Sequence, residues 1–469
     1  MSIRHHPRLA TLSRTSLCLA FSMALQTASS EPSFDRVAEA STGLTARAGR
    51  DGAPRVPEVL PVFTCADTGP GSLRSAVASA VSGDTIDMRG LTCSLITLST
   101  GIVVTVDTLT LLGPGSDRLA ITNPISGSGA IVHDGYGVID LFGLSLQDTY
   151  RYGLGGCLYS RGSVYLEDVT VQRCITKNVV SNPQTVAGGG VYATGIVALE
   201  RSRITENIAS AIYANAYGAG VFAGFGLEMH NSTISENLAA SEYDLAVGGG
   251  AFALKYALVD ESTIAGNRAG LPGGYLGDVG GLALFGYGTN PTLSAITNST
   301  IYRNYAATLI GGICVSSPLM LRNSTITSNY AGSNGMPGKY VAAGVHVYET
   351  SADISSSIIA NNSAANYPFD LSGYAQTITG SHNLIMASLI APPDTITDDP
   401  QLGVLADNGG PTYTQALSPT SPAIDRGSDN GLTSDQREPP YVRVAGAAAD
   451  IGAFELQADL DVIFADGFD

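Results

Sequence analysis

The chain has 469 residues, of which 14% are charged, and it contains 55 glycines but no tryptophan. Its formal net charge of −17 at pH 7 argues against nucleic acid or an anionic membrane surface as a partner. Small and β-branched residues dominate, and such a composition favours short strands and tight turns over helices.

The N-terminal residues have the pattern of a secretory signal peptide. Three arginines precede a short apolar run, Leu17–Leu25, and small residues follow as far as Ser30. The run is too short to span a bilayer, so residues 1–30 are predicted to be a signal peptide. Residues 31–57 are polar and without a regular pattern, which predicts a flexible lead-in. We expect the processed chain to be exported and not to span a membrane.

Five cysteines follow the predicted cleavage point. In an exported protein they can form disulfides, and we favour Cys65–Cys93 and Cys157–Cys174, which leaves Cys314 outside both pairs. The alternative is that several of them are small buried residues. The spacing of cysteines and histidines does not match a zinc site.

Residues 72–82 are predicted to form a short helix. Ser72 is a suitable N-cap and Gly83 a suitable end. One face of this helix is apolar, and it carries Leu73, Ala76, Val77, Ala80 and Val81.

A pattern Ser-x-Ile-x-x-Asn recurs from residue 202 onwards. Its terminal asparagines lie 25 to 37 residues apart, and they are Asn207, Asn237, Asn267, Asn304, Asn329 and Asn361. A glycine lies 17 residues before most of them, as Gly190 does before Asn207. Constant spacing on one side of the asparagine and variable spacing on the other indicate a solenoid with insertions on one side.

The apolar residues of each repeat alternate and show no period of 3.6, which excludes helical repeats. Residues 58–395 are therefore predicted to form an all-β, right-handed parallel β-helix, with the short helix as its N-terminal cap. Strands of adjacent coils would lie about 4.8 Å apart. The asparagines are predicted to form a ladder that satisfies buried polar groups at a bend. The alternative is a sugar-binding strip.

Two stretches resemble known families. The segment TCADTGPGSLRSAVASAVSGDTIDM resembles the N-terminal region of secreted bacterial β-helix proteins of the pectin-lyase-like superfamily. The series Asp407–Thr412, Ser421–Asp425, Asp435–Arg437 and Asp450–Glu455 resembles a choice-of-anchor Q type domain. The chain departs from that family at Gln415, where the family commonly has His, and at Glu438, where it commonly has Gly.

Residues 396–457 are accordingly predicted to plug the C-terminal end of the β-helix. Asp425, Asp435, Arg437 and Asp450 would form a buried polar clasp, and a catalytic or calcium-binding role for these acids is the alternative. The ending IFADGFD resembles that of exported proteins of some Gram-negative bacteria. This predicts that residues 458–469 are a sorting tail and that the protein is extracellular or on the outer-membrane surface.

No catalytic, cofactor or metal residues are assigned from the sequence, and no motif supports calcium. Enzymes of this fold include polysaccharide lyases and glycoside hydrolases, but the NTD and GHG motifs of polygalacturonase-like hydrolases do not occur. Glu200, His230 and Asp260 precede the repeat serines by two residues and would form a surface column at about 4.8 Å spacing. Two carboxylates at such distances could serve a glycosidase. A solvated face is the alternative.

The insertions are predicted to lie on one side, where recognition would be built. They are Asn178–Gln184, Ser210–Tyr217, Ala239–Ala246, Leu271–Val279 and Asn334–Val341. Tyrosines in the coils and insertions could stack on sugars or pack the turns. We expect a monomeric binding, adhesion or structural module for a polysaccharide or a cell-surface protein. The alternative is a carbohydrate-active enzyme, a polysaccharide lyase or glycoside hydrolase, that acts on the same side.

Overall fold

The computed structural model describes residues 56–181, 183–271, 276–286, 292–332, 342–365, 367–374 and 377–457. The chain divides into the units Met1–Val56 and Pro57–Asp469, and the following description concerns the second. The predicted signal peptide, nearly all of the lead-in, the insertion Asn334–Val341 and the sorting tail lie outside the described residues. In the described part of the chain no helix has the length and apolar character needed to cross a bilayer.

The second unit is a stack of coils whose strands form four sheets along the stack. In one coil, Val191–Ala193 belongs to sheet 2, Val197–Glu200 and Arg203–Thr205 to sheet 1, Ile208–Ala211 to sheet 3 and Ala216–Tyr217 to sheet 4. Each of these strands pairs in parallel with its counterpart in the next coil. This is the architecture of a parallel β-helix.

Sheet 1 contains Val59–Pro61, Thr85–Asp87, Leu95–Thr97, Leu109–Leu112, Ala120–Thr122, Val138–Gln147, Ser163–Gln172, Val197–Glu200, Arg203–Thr205, Gly226–His230, Thr233–Ser235, Tyr256–Asp260, Thr263–Ala265, Ser294–Thr297, Thr300–Tyr302, Leu319–Arg322, Thr325–Thr327, Ser351–Ser355, Ile358–Ala360, Thr377–Thr379, Asn383–Ile385 and Thr395–Ile396. Sheet 2 contains Ile102–Val104, Ile131–His133, Leu158–Ser160, Val191–Ala193, Val221–Ala223, Ala251–Ala253, Leu282–Leu284, Ile313–Val315, Val345–Val347 and Leu371–Gly373. Sheet 3 contains Tyr150–Tyr152, Ile175–Lys177, Ile208–Ala211, Leu238–Ser241, Arg268–Ala269, Tyr305–Ala306, Tyr330–Ala331, Ser363–Ala364 and Tyr367–Pro368. Sheet 4 contains Val186–Ala187, Ala216–Tyr217, Leu245–Val247 and Leu276–Gly277, and Leu402–Ala406 pairs with Thr414–Leu417.

The N-terminal helix spans Leu73–Ser79, and the side chain of Ser72 accepts a hydrogen bond from the Ser75 N–H. Leu73 and two other apolar residues of the predicted face are buried. The helix ends earlier than Gly83, the predicted end. The reason is that the buried Asp84 carboxylate accepts the Val81 N–H, which draws the chain out of the helix.

The asparagine amides form a continuous buried row. Asn207 Nδ2 donates to Asn237 Oδ1 at 3.0 Å, and the same bond joins Asn237 to Asn267 and Asn267 to Asn304 at 2.9 Å. Each Oδ1 also accepts the backbone N–H of the preceding asparagine. Each Nδ2 also donates to a backbone carbonyl, as Asn207 does to Val171 O and Asn237 to Ile204 O. Every polar atom of these amides is thereby satisfied in the core.

The row ends differently from the prediction, because Asn362 and not Asn361 is its last asparagine. Asn329 Nδ2 donates to Asn362 Oδ1 at 2.8 Å, whereas Asn361 is exposed at a bend with φ 58°. The stretch SSIIANN fits the repeat pattern in two frames. In the frame that the structure adopts, Ile359 pairs with Ile326 in the core and Ile358 faces outwards.

Both ends of the row are satisfied. The Cys174 N–H donates to Asn207 Oδ1 at 3.0 Å, so Cys174 precedes the first asparagine, as expected of a residue in the Asn position. At the other end, Asp370 Oδ1 accepts both the backbone N–H and Nδ2 of Asn362. The predicted disulfides Cys65–Cys93 and Cys157–Cys174 are confirmed. Cys314 is buried outside both.

The glycine that precedes each asparagine lies against that asparagine's amide. A Cβ atom on Gly220 would lie 2.9 Å from Asn237 Nδ2, and one on Gly344 would lie 2.8 Å from Asn362 Nδ2. Real Cβ contacts are not this short, so only glycine fits against the ladder. This contact explains why glycine and asparagine keep step in the sequence.

The repeat serines form a second row. Ser232 Oγ donates to His230 O and accepts the Ser202 N–H, and the arrangement recurs from coil to coil. The last member is Ser357, which accepts the Ser324 N–H. These bonds shape the bend between the two segments of sheet 1.

The C-terminal segment, residues 397–457, lies along the side of the β-helix. It bonds the bend and the second segment of sheet 1 in successive coils. The bonds to the second segment include Thr263 Oγ1 to Tyr413 O and Ala453 N to Thr325 Oγ1. The bonds to the bend include Asn298 Nδ2 to Ser434 O, Asn323 Nδ2 to Ser428 O and Gly452 N to Ser356 O. Phe454 and Ile451 pack on Ile358 over the last coils. The expectation of a plug at the end of the stack is therefore corrected to a lateral dock, because the outward threonines supply hydrogen-bond partners there.

The predicted polar clasp is only partly formed. Arg437 pairs with Asp435 at 2.7 Å, with both side chains fully buried. Asp450 instead accepts the Asp425 N–H, and Asp425 accepts the backbone N–H groups of Ala447 and Ala448. A second buried pair, Arg443 with Glu455 at 3.0 Å, was not predicted.

We predict that Asn267→Asp lowers the free energy of unfolding by about 3 kcal/mol or more. The variant loses the Nδ2 donor to Asn304 and introduces a carboxyl group into the core. Asn361→Asp is the matched control and should change stability by less than about 0.5 kcal/mol because its side chain is exposed. Denaturant unfolding of both variants measures the difference. Equal effects would contradict the ladder.

We also predict that Gln436→Ala loosens the C-terminal segment. Gln436 is fully buried, its Nε2 donates to Thr263 Oγ1 and its Oε1 accepts from Thr300 Oγ1. Hydrogen exchange of residues 407–457 should become faster while that of the first coils stays the same. Gln401→Ala, at an exposed glutamine of the same segment, is the control. Unchanged exchange in Gln436→Ala would show that these bonds do not hold the segment.

Candidate functional site

The structure places Glu200, His230 and Asp260 on adjacent rungs at the end of the first segment of sheet 1. The three do not form one group. Glu200 pairs with Arg201, whose other guanidinium nitrogen lies 2.6 Å from Glu167. His230 and Asp260 instead belong to a cluster that contains two further acids, Glu261 and Glu438.

His230 lies at the centre of this cluster. Its Nδ1 is 3.5 Å from Asp260 Oδ2, and its Nε2 is 3.8 Å from Glu261 Oε2 and 3.9 Å from Glu438 Oε1. The imidazole and the carboxyl group of Glu438 are partly exposed, whereas 12% of the Glu261 side chain is exposed. We name His230, Asp260, Glu261 and Glu438 the His230 cluster.

The bend of sheet 1 directs these side chains towards the C-terminal segment. Asn231 and Glu261 occupy the left-handed backbone region there, with φ 49° and 47°. Glu438 lies in a turn, and its backbone N–H donates to Asp435 O. Thr412 Oγ1 donates to Glu261 O at 3.0 Å, which fixes this part of the segment on the coil.

Burial and neighbouring charge change the acidity of the cluster. Burial, reinforced by the charges of Asp260 and Glu438, raises the pKa of Glu261 to about 7. The hydrogen bond to Asp260 raises the pKa of His230. Three carboxyl groups surround one imidazole where the C-terminal segment contacts the coils, and their charges contribute to both shifts.

Asn231 directs its amide into the cluster. Its Nδ2 donates to Glu438 Oε1 at 2.6 Å and to His230 Nε2 at 3.0 Å. The residue is 3% exposed, and its buried Oδ1 has no hydrogen-bond partner among the described residues. One ligand atom each from His230, Glu261 and Glu438 can be chosen so that all lie within 4.8 Å of one another, which is close enough to hold a metal ion.

Sequence reasoning missed Glu261 and Glu438. Two signals were present. Glu261 replaces the asparagine that precedes Ser-Thr-Ile in the neighbouring repeats, and Glu438 stands where the family that this stretch resembles commonly has Gly. Their proximity could not be predicted, because it depends on the lateral path of the C-terminal segment.

The loop side consists of sheet 3 and of the connections that run from each ladder asparagine to the next glycine. The predicted loops are partly strands, because Ala216–Tyr217, Leu245–Val247 and Leu276–Gly277 pair as sheet 4. Tyr213 and Tyr243 follow sheet 3 in adjacent coils. Their rings stack with centroids 4.5 Å apart and remain 54% and 50% exposed.

A row of outward residues crosses sheet 3 beside this tyrosine pair. It consists of the first residue of successive strands, which are Tyr150, Ile175, Ile208, Leu238, Arg268, Tyr305 and Tyr330. All are half-buried or exposed. The rings of Tyr305 and Tyr330 stack at 5.6 Å. The row gives the loop side a long, mainly apolar and aromatic surface.

The insertion Leu271–Val279, of which residues 272–275 lie outside the described residues, carries a buried carboxyl group. Asp278 is 5% exposed, and Thr308 Oγ1 donates to its Oδ1 at 2.6 Å. Burial raises the pKa of Asp278 to about 6.

Comparison with known proteins supports the fold. A family model described as "right handed beta helix region" matches residues 157–364, and the predicted right-handed parallel β-helix is confirmed. No curated protein matches the chain. The solved structure of pectate lyase Pel9A is similar at 15% identity and a TM-score of 0.39, over 86% of this chain and 97% of that chain.

Asp278 should make stability depend on pH. Its pKa is higher in the folded chain than in the unfolded chain, so the folded state binds more protons between about pH 4 and 6. The free energy of unfolding should therefore fall by about 3 kcal/mol as pH rises through this window.

Asp278→Asn removes this contribution, so the variant should gain stability relative to the wild type as pH rises from 4 to 7. Denaturant unfolding at both pH values measures the gain. Asp244→Asn, at an exposed acid of the preceding insertion, is the control. Parallel pH profiles for Asp278→Asn and the wild type would refute the assignment.

Proposed function

We propose that the protein is an exported binding module that holds a polysaccharide chain on its loop side. The observation that carries this proposal is the exposed pair Tyr213–Tyr243 beside the mainly apolar row of sheet 3. Aromatic faces bury the C–H faces of sugar rings while the tyrosine hydroxyl stays hydrated. A row that repeats in seven successive coils suits an extended polymer.

The net charge of the chain limits the classes of polysaccharide that can bind. At a net charge of −17, long-range repulsion disfavours a polyanionic polysaccharide. The row contains a single cation, Arg268, which lies 6.0 Å from the Tyr305 ring centroid. A neutral polysaccharide is the ligand class that agrees with both features.

The acids of the His230 cluster lie apart from this surface. Asp260 and Glu261 belong to the bend of sheet 1 and Glu438 to the C-terminal segment docked there, whereas the tyrosine pair follows sheet 3. This separation favours binding over cleavage on the loop side. The signal-peptide pattern and the resemblances to a choice-of-anchor Q type domain and a sorting tail support export and surface display.

Binding to a panel of neutral and acidic polysaccharides tests the proposal. Tyr213→Asn and Tyr243→Asn should together weaken binding about tenfold or more, because each ring contributes about 0.5–1.5 kcal/mol. Asparagine tolerates the left-handed backbone of Tyr213. Tyr136→Asn, at a 75% exposed tyrosine outside the loop side, is the control and should bind as the wild type does.

Two results would contradict the proposal. Equal affinities of the double variant and the wild type would remove the loop side as the binding surface. Release of reducing ends or unsaturated products from any polysaccharide of the panel would instead favour the carbohydrate-active enzyme.

A further inference from the structure

We propose that the His230 cluster binds one divalent transition-metal ion and that this ion stabilises the attachment of the C-terminal segment to the β-helix. Zn²⁺ is the ion against which the geometry is compared. The ligands are His230 Nε2, Glu261 Oε2 and Glu438 Oε1. The site is distinct from the loop side and does not depend on the proposed polysaccharide binding.

The distances suit such an ion after a small adjustment. Zn²⁺ binds nitrogen and carboxylate oxygen at about 2.0–2.2 Å, so ligand atoms of a tetrahedral shell lie about 3.4 Å apart. Nε2 is 3.8 Å from Glu261 Oε2 and 3.9 Å from Glu438 Oε1. Rotation of the partly exposed His230 and Glu438 side chains closes a gap of this size.

Asp260 prepares the imidazole for this role. Its carboxylate faces Nδ1 at 3.5 Å, so the proton resides on Nδ1. The lone pair of Nε2, which accepts from Asn231 Nδ2 in this structure, is then available to a metal ion near Glu261 and Glu438. A carboxylate behind a ligating histidine is the usual support of a metal site, because it fixes the tautomer and the ring orientation.

Asn231 provides support for a cation that does not depend on the acids. Its amide already contacts His230 and Glu438, and its buried Oδ1 has no partner in the described part of the chain. A half-turn of the amide would exchange Nδ2 for Oδ1 and offer a fourth ligand. Oδ1 loses no hydrogen bond in that rotation, whereas Nδ2 gives up its bonds to Glu438 Oε1 and His230 Nε2, two atoms that would then bind the ion. A buried acceptor without a donor is costly, and a cation would satisfy it.

The charges around the site also favour a bound cation. Three carboxyl groups surround one imidazole, and none of the three forms an ion pair with a lysine or arginine among the residues that the structure describes. The mixed nitrogen and oxygen donors favour a transition metal over Ca²⁺ or Mg²⁺, which prefer oxygen alone. Because Glu438 lies far along the chain from His230 and Glu261, the ion would connect the C-terminal segment to two adjacent coils.

Calorimetric titration of the processed, tag-free protein with Zn²⁺ tests the site. We expect one ion per chain, and at least tenfold weaker binding in Glu438→Gln and in His230→Gln. Glu242→Gln, at an exposed glutamate of the loop side, should bind as the wild type does. Glu438 is partly exposed, so its variant should fold even if His230→Gln does not.

A second measurement reports on the attachment of the C-terminal segment. Zn²⁺ should slow hydrogen exchange in residues 428–441 of the wild type, and it should have no such effect in Glu438→Gln. The proposal is overturned if Glu438→Gln binds Zn²⁺ as tightly as the wild type, if millimolar Zn²⁺ does not bind, or if Ca²⁺ binds more tightly than Zn²⁺.

Discussion

The buried row of asparagine amides is the constraint on which the other features depend. Each amide bonds the backbone and the amide of a neighbouring coil, so a polar bend can lie in the core without unsatisfied groups. The amide leaves no space for a side chain on the glycine beside it. These contacts hold one half of most coils at constant length, so most insertions lie in the other half. The longer stretch from Gly281 to Asn304 is the exception.

The constant half and the variable half therefore present different surfaces. The constant half carries the outward threonines on which the C-terminal segment docks, and the His230 cluster lies where that dock begins. The variable half carries the tyrosine pair and the apolar row of sheet 3. Attachment of the segment and recognition of a ligand can thus reside on separate faces of one stack.

The sequence period was sufficient for the fold and for the positions of Glu200, His230 and Asp260, because residues in the same place of the repeat stack. The disulfides were expected from the predicted export of the chain and not from the period. It was insufficient for Asn361, since SSIIANN fits two frames and only the packing of Ile359 in the core decides between them. The lateral dock was not predictable either. Bonds such as Thr263 Oγ1 to Tyr413 O and Asn298 Nδ2 to Ser434 O join residues more than a hundred positions apart, and no local pattern specifies them.

Backbone hydrogen exchange resolved by residue would test the ladder most directly. The N–H groups of Asn237, Asn267 and Asn304 donate to the next amide oxygen in the core, so they should be among the slowest to exchange in the chain. The N–H groups of the exposed tips at Tyr213 and Tyr243 should exchange much faster. If the asparagine amides exchanged as fast as those tips, the row could not be what keeps the coils in register.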